Sequence, residues 1–510
     1  MRWKGISMTG TLAKRAPLVL SMTPRGSAAH GKTILYRRLV ACLLATTLLA
    51  GCDLAPHYKR PTPAVPSAFP QGPAYPATSA TAADAAAIGW RSFFTDERLR
   101  QVIAQGLANN QDLQLAAAHV LQARAQYRVQ RADLLPTVDA MGTASIRHSG
   151  SNGASVGSSS SGPHDTGGTT KSYAADLGIS SFELDLFGRV RNLTKAAREQ
   201  YFATQAAQDA TRISLIAEIA SAWLTLGSDQ DQLALSRQTL ASFQQSVDLT
   251  RAQFEKGVAS ELDLQQAETN LQDARYDVAQ LTTQIAQDQN ALNLLVGATV
   301  PPEQLPSGLG TADFTLADLP AGVSSDVLLK RPDVIEAEDQ LKAQNANIGA
   351  ARAAFFPTIS LTAAAGSASS ALSDLFTGGT WSWNASGSSA LTLFDFGRNK
   401  ANLRYAEASR DAAVATYRKS VQTAFREVSD ALAQRGTIEE QVSARAARAT
   451  AADTAAKLSE ARYRNGIDSF LTTLDAQRTL YSAQQALVTT RLARQTNLVT
   501  LYGALGGGIS

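Results

Sequence analysis

The chain has 510 residues and carries 47 Lys plus Arg against 44 Asp plus Glu. So balanced a charge, with no basic stripe, argues against nucleic acid or an acidic polymer as a partner. Its two cysteines, Cys42 and Cys52, both lie near the N-terminus, which excludes a disulfide framework and a CxxC metal or redox site.

Arg37-Arg38 precedes an apolar run over residues 39–50. At ~1.5 Å per residue the run reaches roughly 18 Å, short of the ~30 Å hydrocarbon core, so it reads as a signal peptide over residues 1–51. Residues 1–31 fit no targeting pattern, and Met8 and Met22 are alternative starts. The run ends in Leu49-Ala50-Gly51-Cys52, which resembles the bacterial lipobox. That resemblance implies that Cys52 is acylated and leads the mature chain. Several acyl chains at ~0.8 kcal/mol per buried methylene give a durable anchor. Asp53, directly after it, resembles an inner membrane retention signal of some bacteria. No later segment has 18 continuous apolar residues, so any further membrane span must be β.

Residues 52–88 form a proline-rich segment, with seven prolines in the twenty-five residues from Cys52 to Pro76. Composition fits a semi-rigid extended strap and a disordered tether equally. From Trp90 to about Arg131, Leu99, Val102, Ile103, Leu107, Leu113, Leu115, Ala116 and Val120 recur at helical spacing, and Pro136 ends the pattern. Val138, Ala140, Gly142, Ala144 and Ile146 then alternate as a strand over about 137–147. A Ser/Gly/Thr-rich loop follows, and alternation resumes over about 172–187.

A proline-free stretch, 189–256, predicts a very long helix of roughly 100 Å, and a returning helix follows over 258–296. The whole pattern then recurs. Gly188, Gly227, Gly257 and Gly297 return 209 residues later as Gly397, Gly436, Gly466 and Gly506, and Pro136 returns 221 residues later as Pro357. The first repeat is thus 89–298, with a hairpin tip near 257. Residues 299–325 link it to the second, 326–510, which has strands at about 358–366 and 381–395 and a tip near 466. Gly227 and Gly436 read as bends or close helix contacts, and Gly257 and Gly466 as helix ends.

Four strands cannot close a barrel, and open edges in lipid leave backbone groups unsatisfied, so the chain must oligomerise. A trimer supplies twelve strands. Trp381, Trp383 and Tyr173 fit an aromatic girdle at the loop-side ends. Chemistry is absent from the pattern. His57, His119, His148 and His164 show no metal spacing, and neither a Gly-x-Ser-x-Gly nor a phosphate loop occurs. A periplasmic adaptor would carry one helical hairpin, and a coiled-coil tether would lack strands.

Lipobox, proline strap, Asn110-Gln111-Asp112-Leu113, Leu135-Pro136-Thr137, Glu183-Leu184-Asp185-Leu186-Phe187-Gly188-Arg189, Leu393-Phe394-Asp395-Phe396-Gly397-Arg398 and Arg462-Tyr463-Arg464-Asn465-Gly466 together resemble the TolC family of outer membrane efflux factors, in its OprM-like lipoprotein branch. The resemblance spans nearly all of the mature chain. It implies a mainly α protein with a membrane β-barrel: a trimeric twelve-stranded barrel continuing into a twelve-helix periplasmic α-barrel. It also implies a passive, non-enzymatic duct in the outer membrane. Such a duct takes drugs or other small toxic compounds from an inner membrane pump of the resistance-nodulation-division type, through a periplasmic adaptor.

No cofactor is implied beyond the acyl chains on Cys52. Gly188, Arg189, Gly397 and Arg398 would mark the passage from strand to helix. Phe254, Gly257, Ser260, Tyr463, Gly466 and Ser469 would form the tips that dock the adaptor. Asp468 and Asp475 would form carboxylate rings of a cation-attracting gate. The match is partial, since Thr472 stands where TolC has an aspartate and Asp468 where it has an arginine. Asp475 and Arg478 also have the i,i+3 spacing of an ordinary surface pair.

Overall fold

The computed structural model describes residues 53–76, 88–148, 168–310, 314–315 and 324–507. Cys52, the leader and most of the Ser/Gly-rich loop lie outside the described residues.

The helical pattern of 90–131 is broken into three pieces, α1 (Trp90–Phe93), α2 (Glu97–Asn109) and α3 (Gln111–Ala132). Each break is a cap that periodicity alone does not reveal. Asp96 accepts from the Arg98 and Leu99 amides, and Asn110 accepts from the Leu113 amide while its own amide donates to the Leu295 carbonyl. The strands β1 (Asp139–His148) and β2 (Thr169–Glu183) lead to α4 (Arg189–Glu255) and α5 (Glu261–Val296). In the second repeat α6 (Pro332–Ala353), β3 (Thr358–Ser369), β4 (Trp381–Ala390), α7 (Arg398–Arg464) and α8 (Phe470–Ala504) follow in the same order. The two long helices have 67 residues each, roughly 100 Å.

The strands before each long helix are shorter than alternation suggests, ending at Glu183 and Ala390. A carboxylate takes over the backbone there. Asp185 accepts from the Arg191 amide at 2.8 Å, and Asp395 accepts from the Gly397 and Asn399 amides at 2.9 and 2.8 Å. These are orphan donors of a helix start, and satisfying them favours leaving the ladder early.

One antiparallel sheet has the order β1-β2-β3-β4, so β2 and β3 join the repeats and β1 and β4 are its edges. The register places Ala144, Tyr173, Ser369, Ser367 and Trp381 on one face, with Leu177, Ala365 and Trp383 further along it. The other face carries Thr143, Asp176, Gly366, Ser382 and Asn384. One side is apolar and aromatic, the other small and polar. Trp381 and Trp383 are each 68% exposed, so neither is packing inside a chain core.

The main core lies midway along the long helices. Phe93 stacks on Tyr502 with ring centroids 4.0 Å apart, and Trp223 donates to the Gln304 carbonyl at 2.9 Å. The proline-rich segment is fastened to this body. Arg60 pairs with buried Glu338 at 2.7 Å, Tyr58 donates to the same carboxylate, and Phe69 stacks on Phe425. Over 53–76 it is a docked strap, not a free tether.

Gly436 explains why one glycine sits inside α7: a Cβ there would lie 2.7 Å from the Ala74 carbonyl carbon of the strap. Gly227 holds the equivalent place in α4, where a Cβ would lie 2.9 Å from a Leu309 methyl of the inter-repeat segment. Both are close approaches, but to non-helical segments of the chain and not to another helix as the sequence suggested.

Candidate functional site at the tips and the collar

Each helical tip reverses by the same backbone device. Gly257 and Gly466 have φ of 73° and 70°, the left-handed region that favours glycine. Val258 donates to the Gln253 carbonyl and Ile467 to the Arg462 carbonyl, each at 2.9 Å, while the glycine amides return to Phe254 and Tyr463. That pair of bonds is a Schellman ending. The next helix then starts from a serine. Ser260 and Asp263 cap one another reciprocally, whereas Ser469 accepts from the Thr472 amide and shares a hydroxyl bond with Thr472, which has no carboxylate to return to the serine amide.

The two tips touch. Tyr463 donates to Gln253 Oε1 at 2.6 Å, and its ring lies 5.2 Å from Phe470. Phe470 and Leu474 pack with Val247, Leu264 and Leu271 in a small core of their own. A groove of about 770 Å³ runs between the tips, lined by Phe470, Val258, Asp263 and Asp468 among others. Beside it both tips leave apolar side chains in solvent at matching places: Val258 and Leu262 in the first, Ile467 and Leu471 in the second. The 209-residue register contained that pairing, although attention to polar and aromatic positions misses it.

The two aspartates have different surroundings. Asp468 receives two hydrogen bonds from Arg462, at 2.6 and 2.9 Å, and this guanidinium holds its carboxyl below the usual range. Arg462 lies only six residues upstream, a spacing legible in sequence and not used. Asp475 is exposed, with Arg478 at 3.9 Å, and borders a groove formed with Gln266, Thr269 and Asn270 of α5. The structure therefore does not bring the two carboxylates together.

Higher up, Tyr481 of α8 lies 2.7 Å from Ser236 Oγ of α4 and donates to Asp277 of α5 at 2.8 Å. Burial and the Asp277 carboxylate push its hydroxyl up to about 12, against opposing hydrogen bonds from Ser236 and Gln485. Further along, Asp229 of α4 is raised to about 7, first by burial and then by the hydrogen bond and charge of Asp288 on α5.

At the other end, Gly188 and Gly397 open the long helices with φ of 77° and 89°. Arg189 pairs with Glu183, but the residue at Glu183's place in the second repeat is Thr392, so Arg398 has no such carboxylate. Asp53 accepts from Asn192 at 3.0 Å, which holds the first residue after Cys52 beside this collar.

Among the described residues no cluster of His, Cys, Asp or Glu could hold a metal, and no helix is long and apolar enough to cross a membrane. The family model for outer membrane efflux proteins matches residues 102–298 and 323–507, one match for each repeat. The chain belongs to the outer membrane efflux protein family.

Among its relatives is the toluene efflux pump outer membrane protein TtgC of Pseudomonas putida, 47% identical over 472 residues, 92% of this chain and 96% of that one. OprJ of Pseudomonas aeruginosa is 40% identical over 92% of this chain and 95% of its own. Solved structures agree. A membrane protein of Pseudomonas aeruginosa superposes with a TM-score of 0.81 at 38% identity, covering 89% of this chain and all of that one. The open state of the Neisseria gonorrhoeae outer membrane channel MtrE gives 0.79 at 36% identity, covering 90% and 99%. This efflux protein accordingly resides in the outer membrane, has the TolC-like channel fold and serves as the outer membrane component of an efflux system. The family is a transporter family, not an enzymatic one.

Proposed function

We propose that three copies of this chain close into one conduit, with twelve strands forming a barrel in the outer membrane and twelve helices a periplasmic tunnel. The observation that carries this reading is the four-stranded sheet. It has one apolar aromatic face, one small polar face and two free edges, β1 and β4. A single sheet of that kind satisfies neither lipid nor water; closed with its polar face inward, it satisfies both. Acylation of Cys52 fits the same arrangement, because Asp53 is held beside the collar where strands become helices.

The tips supply the other end. Val258, Leu262, Ile467 and Leu471 offer apolar anchors for the helical hairpins of a periplasmic adaptor, which connects the duct to a resistance-nodulation-division pump. Asp475, exposed and only loosely paired with Arg478, forms the carboxylate ring of the gate. Asp468, spent on Arg462, steadies the turn below it. Adaptor docking stabilises a dilated state that the trimer already samples. The cargo class follows the relatives' names, antibiotics and organic solvents such as toluene. Detergent-extracted protein should run as a heat-sensitive trimer and form cation-preferring channels in planar bilayers. A monomer that neither inserts nor conducts would refute the reading.

A further inference from the structure

Two helices that the duplication makes equivalent live in opposite surroundings. α3 and α6 each have 22 residues and each leads into a strand through a proline, yet thirteen residues of α6 are buried and none of α3. α3 is not short of apolar side chains: Leu115, Leu121 and Val129 are all more than half exposed. The difference is in what covers them. α6 lies between α7 of its own repeat and α4 of the preceding repeat, with the strap over Glu338, Asn345 and Gly349, whereas α3 packs chiefly on α4 of its own repeat. In a closed ring, the repeat preceding the first is the second repeat of another copy.

The seam inside the chain shows what belongs at that junction. Phe187, just before α4, stacks on Phe356, just before β3, with centroids 4.7 Å apart and planes 19° apart. Carrying both residues through the repeat places Phe396 opposite Leu135 of the next copy. Phe396 is 91% exposed and makes an edge contact with Phe394, itself 75% exposed. It is also the one non-glycine among the described residues with positive φ, at 56°. Such a backbone costs of order 1–3 kcal/mol and persists where surroundings compensate it. Within one chain the Asp395 hydrogen bonds to the Gly397 and Asn399 amides hold the turn, but only Phe394 touches the Phe396 ring.

We propose that the Phe394–Phe396 ring pair is a wedge between subunits, seated on Leu135 and Val138 of a second copy of this chain, and that α7 of the same copy covers the bare face of α3. The wedge repeats between copies the contact that Phe187 makes with Phe356 within one. Lipid would also accept exposed rings at the collar. It would not account for α3, whose uncovered face runs about 33 Å away from the sheet. The inference rests on the closed-oligomer reading above, and names the residues that make its joint.

Leu135→Cys and Phe396→Cys in the full lipidated protein test it, since Cys52 is the only other cysteine after the leader. Oxidation in membranes should give the double variant covalent trimers that survive heating, and neither single variant should do so. A double variant that is trimeric by native mass but monomeric after heating would overturn the wedge and leave the trimer standing. A protein that is not trimeric would overturn both. Phe396→Gly supplies a second test whose sign matters. Glycine relieves the positive φ, so an idle surface ring would leave the trimer as heat-resistant or more so, overturning the wedge. The wedge predicts dissociation at a lower temperature with unchanged helix and strand dichroism.

Discussion

The Tyr463 hydroxyl donates to Gln253 Oε1 at 2.6 Å, tying the last turn of α7 to the last turn of α4. Because α8 starts from the turn that Tyr463 closes, this bond holds the two tips of the chain at a fixed spacing. Tyr463→Phe keeps the ring contact with Phe470 and removes only the hydroxyl. A neutral bond of this kind contributes about 1 kcal/mol net, so each protomer's closed state should lose roughly fivefold in population. Single-channel recordings should show more frequent or wider openings. An unaltered conductance pattern would mean that spacing is set elsewhere.

Asp468 and Asp475 should separate in ion selectivity. Arg462 compensates Asp468, so replacing both together, Arg462→Gln with Asp468→Asn, leaves the net charge unchanged and mainly loosens the turn. Asp475 has its nearest cation at 3.9 Å, so Asp475→Asn removes net negative charge from the constriction. Reversal potentials across a salt gradient should move toward zero for Asp475→Asn and stay near the parent value for the Arg462→Gln, Asp468→Asn double variant. The opposite order would reassign the ring.

Gly436→Ala sets two effects against each other. Alanine favours helix by ~1 kcal/mol over glycine, but its methyl would meet the Ala74 backbone, which is not a flexible side chain that can turn aside. The strap is pinned around that point, by Arg60–Glu338 and Phe69–Phe425 upstream and by Tyr75, which packs against the main core. Overpacking at roughly 1–3 kcal/mol should prevail. The variant should melt earlier, and trypsin should cut faster after Lys59. Greater stability would show that Gly436 is not there to admit the strap.

Long-range periodicity made the long helices, the hairpins and the duplication legible, because these depend on residue type at regular spacing. The eight repeated glycines were a good guide for the same reason: six have positive φ and two face a close backbone or side-chain approach. The breaks at Asp96 and Asn110 were not legible, since a capping side chain looks like any polar residue inside a helical pattern. Nor did composition decide between strap and tether. That choice depends on Glu338, Phe425 and Gly436, each hundreds of residues from the prolines. At the tips, the turn glycines were visible and their partners were not. Gln253 meets Tyr463 across 210 residues, through geometry that only the folded turns bring about, whereas Arg462 lay within local reach of Asp468.

The Asp229–Asp288 pair predicts an inverted pH dependence. Burial, reinforced by Asp288, raises the Asp229 carboxyl from the ordinary 3.8 to about 7, so the folded state holds a proton that the unfolded state releases. Stability from this group is fully present below about pH 4 and is lost as pH rises through 7, the reverse of a salt-bridged carboxylate. Asp229→Asn keeps a neutral side chain beside Asp288 at every pH. It should stabilise the protein at pH 8 by on the order of 2 kcal/mol, allowing for screening, and make no difference near pH 4. Melting curves of parent and variant between pH 4 and 8 would decide. Parallel curves across that range would show that the two carboxyl groups do not share a proton.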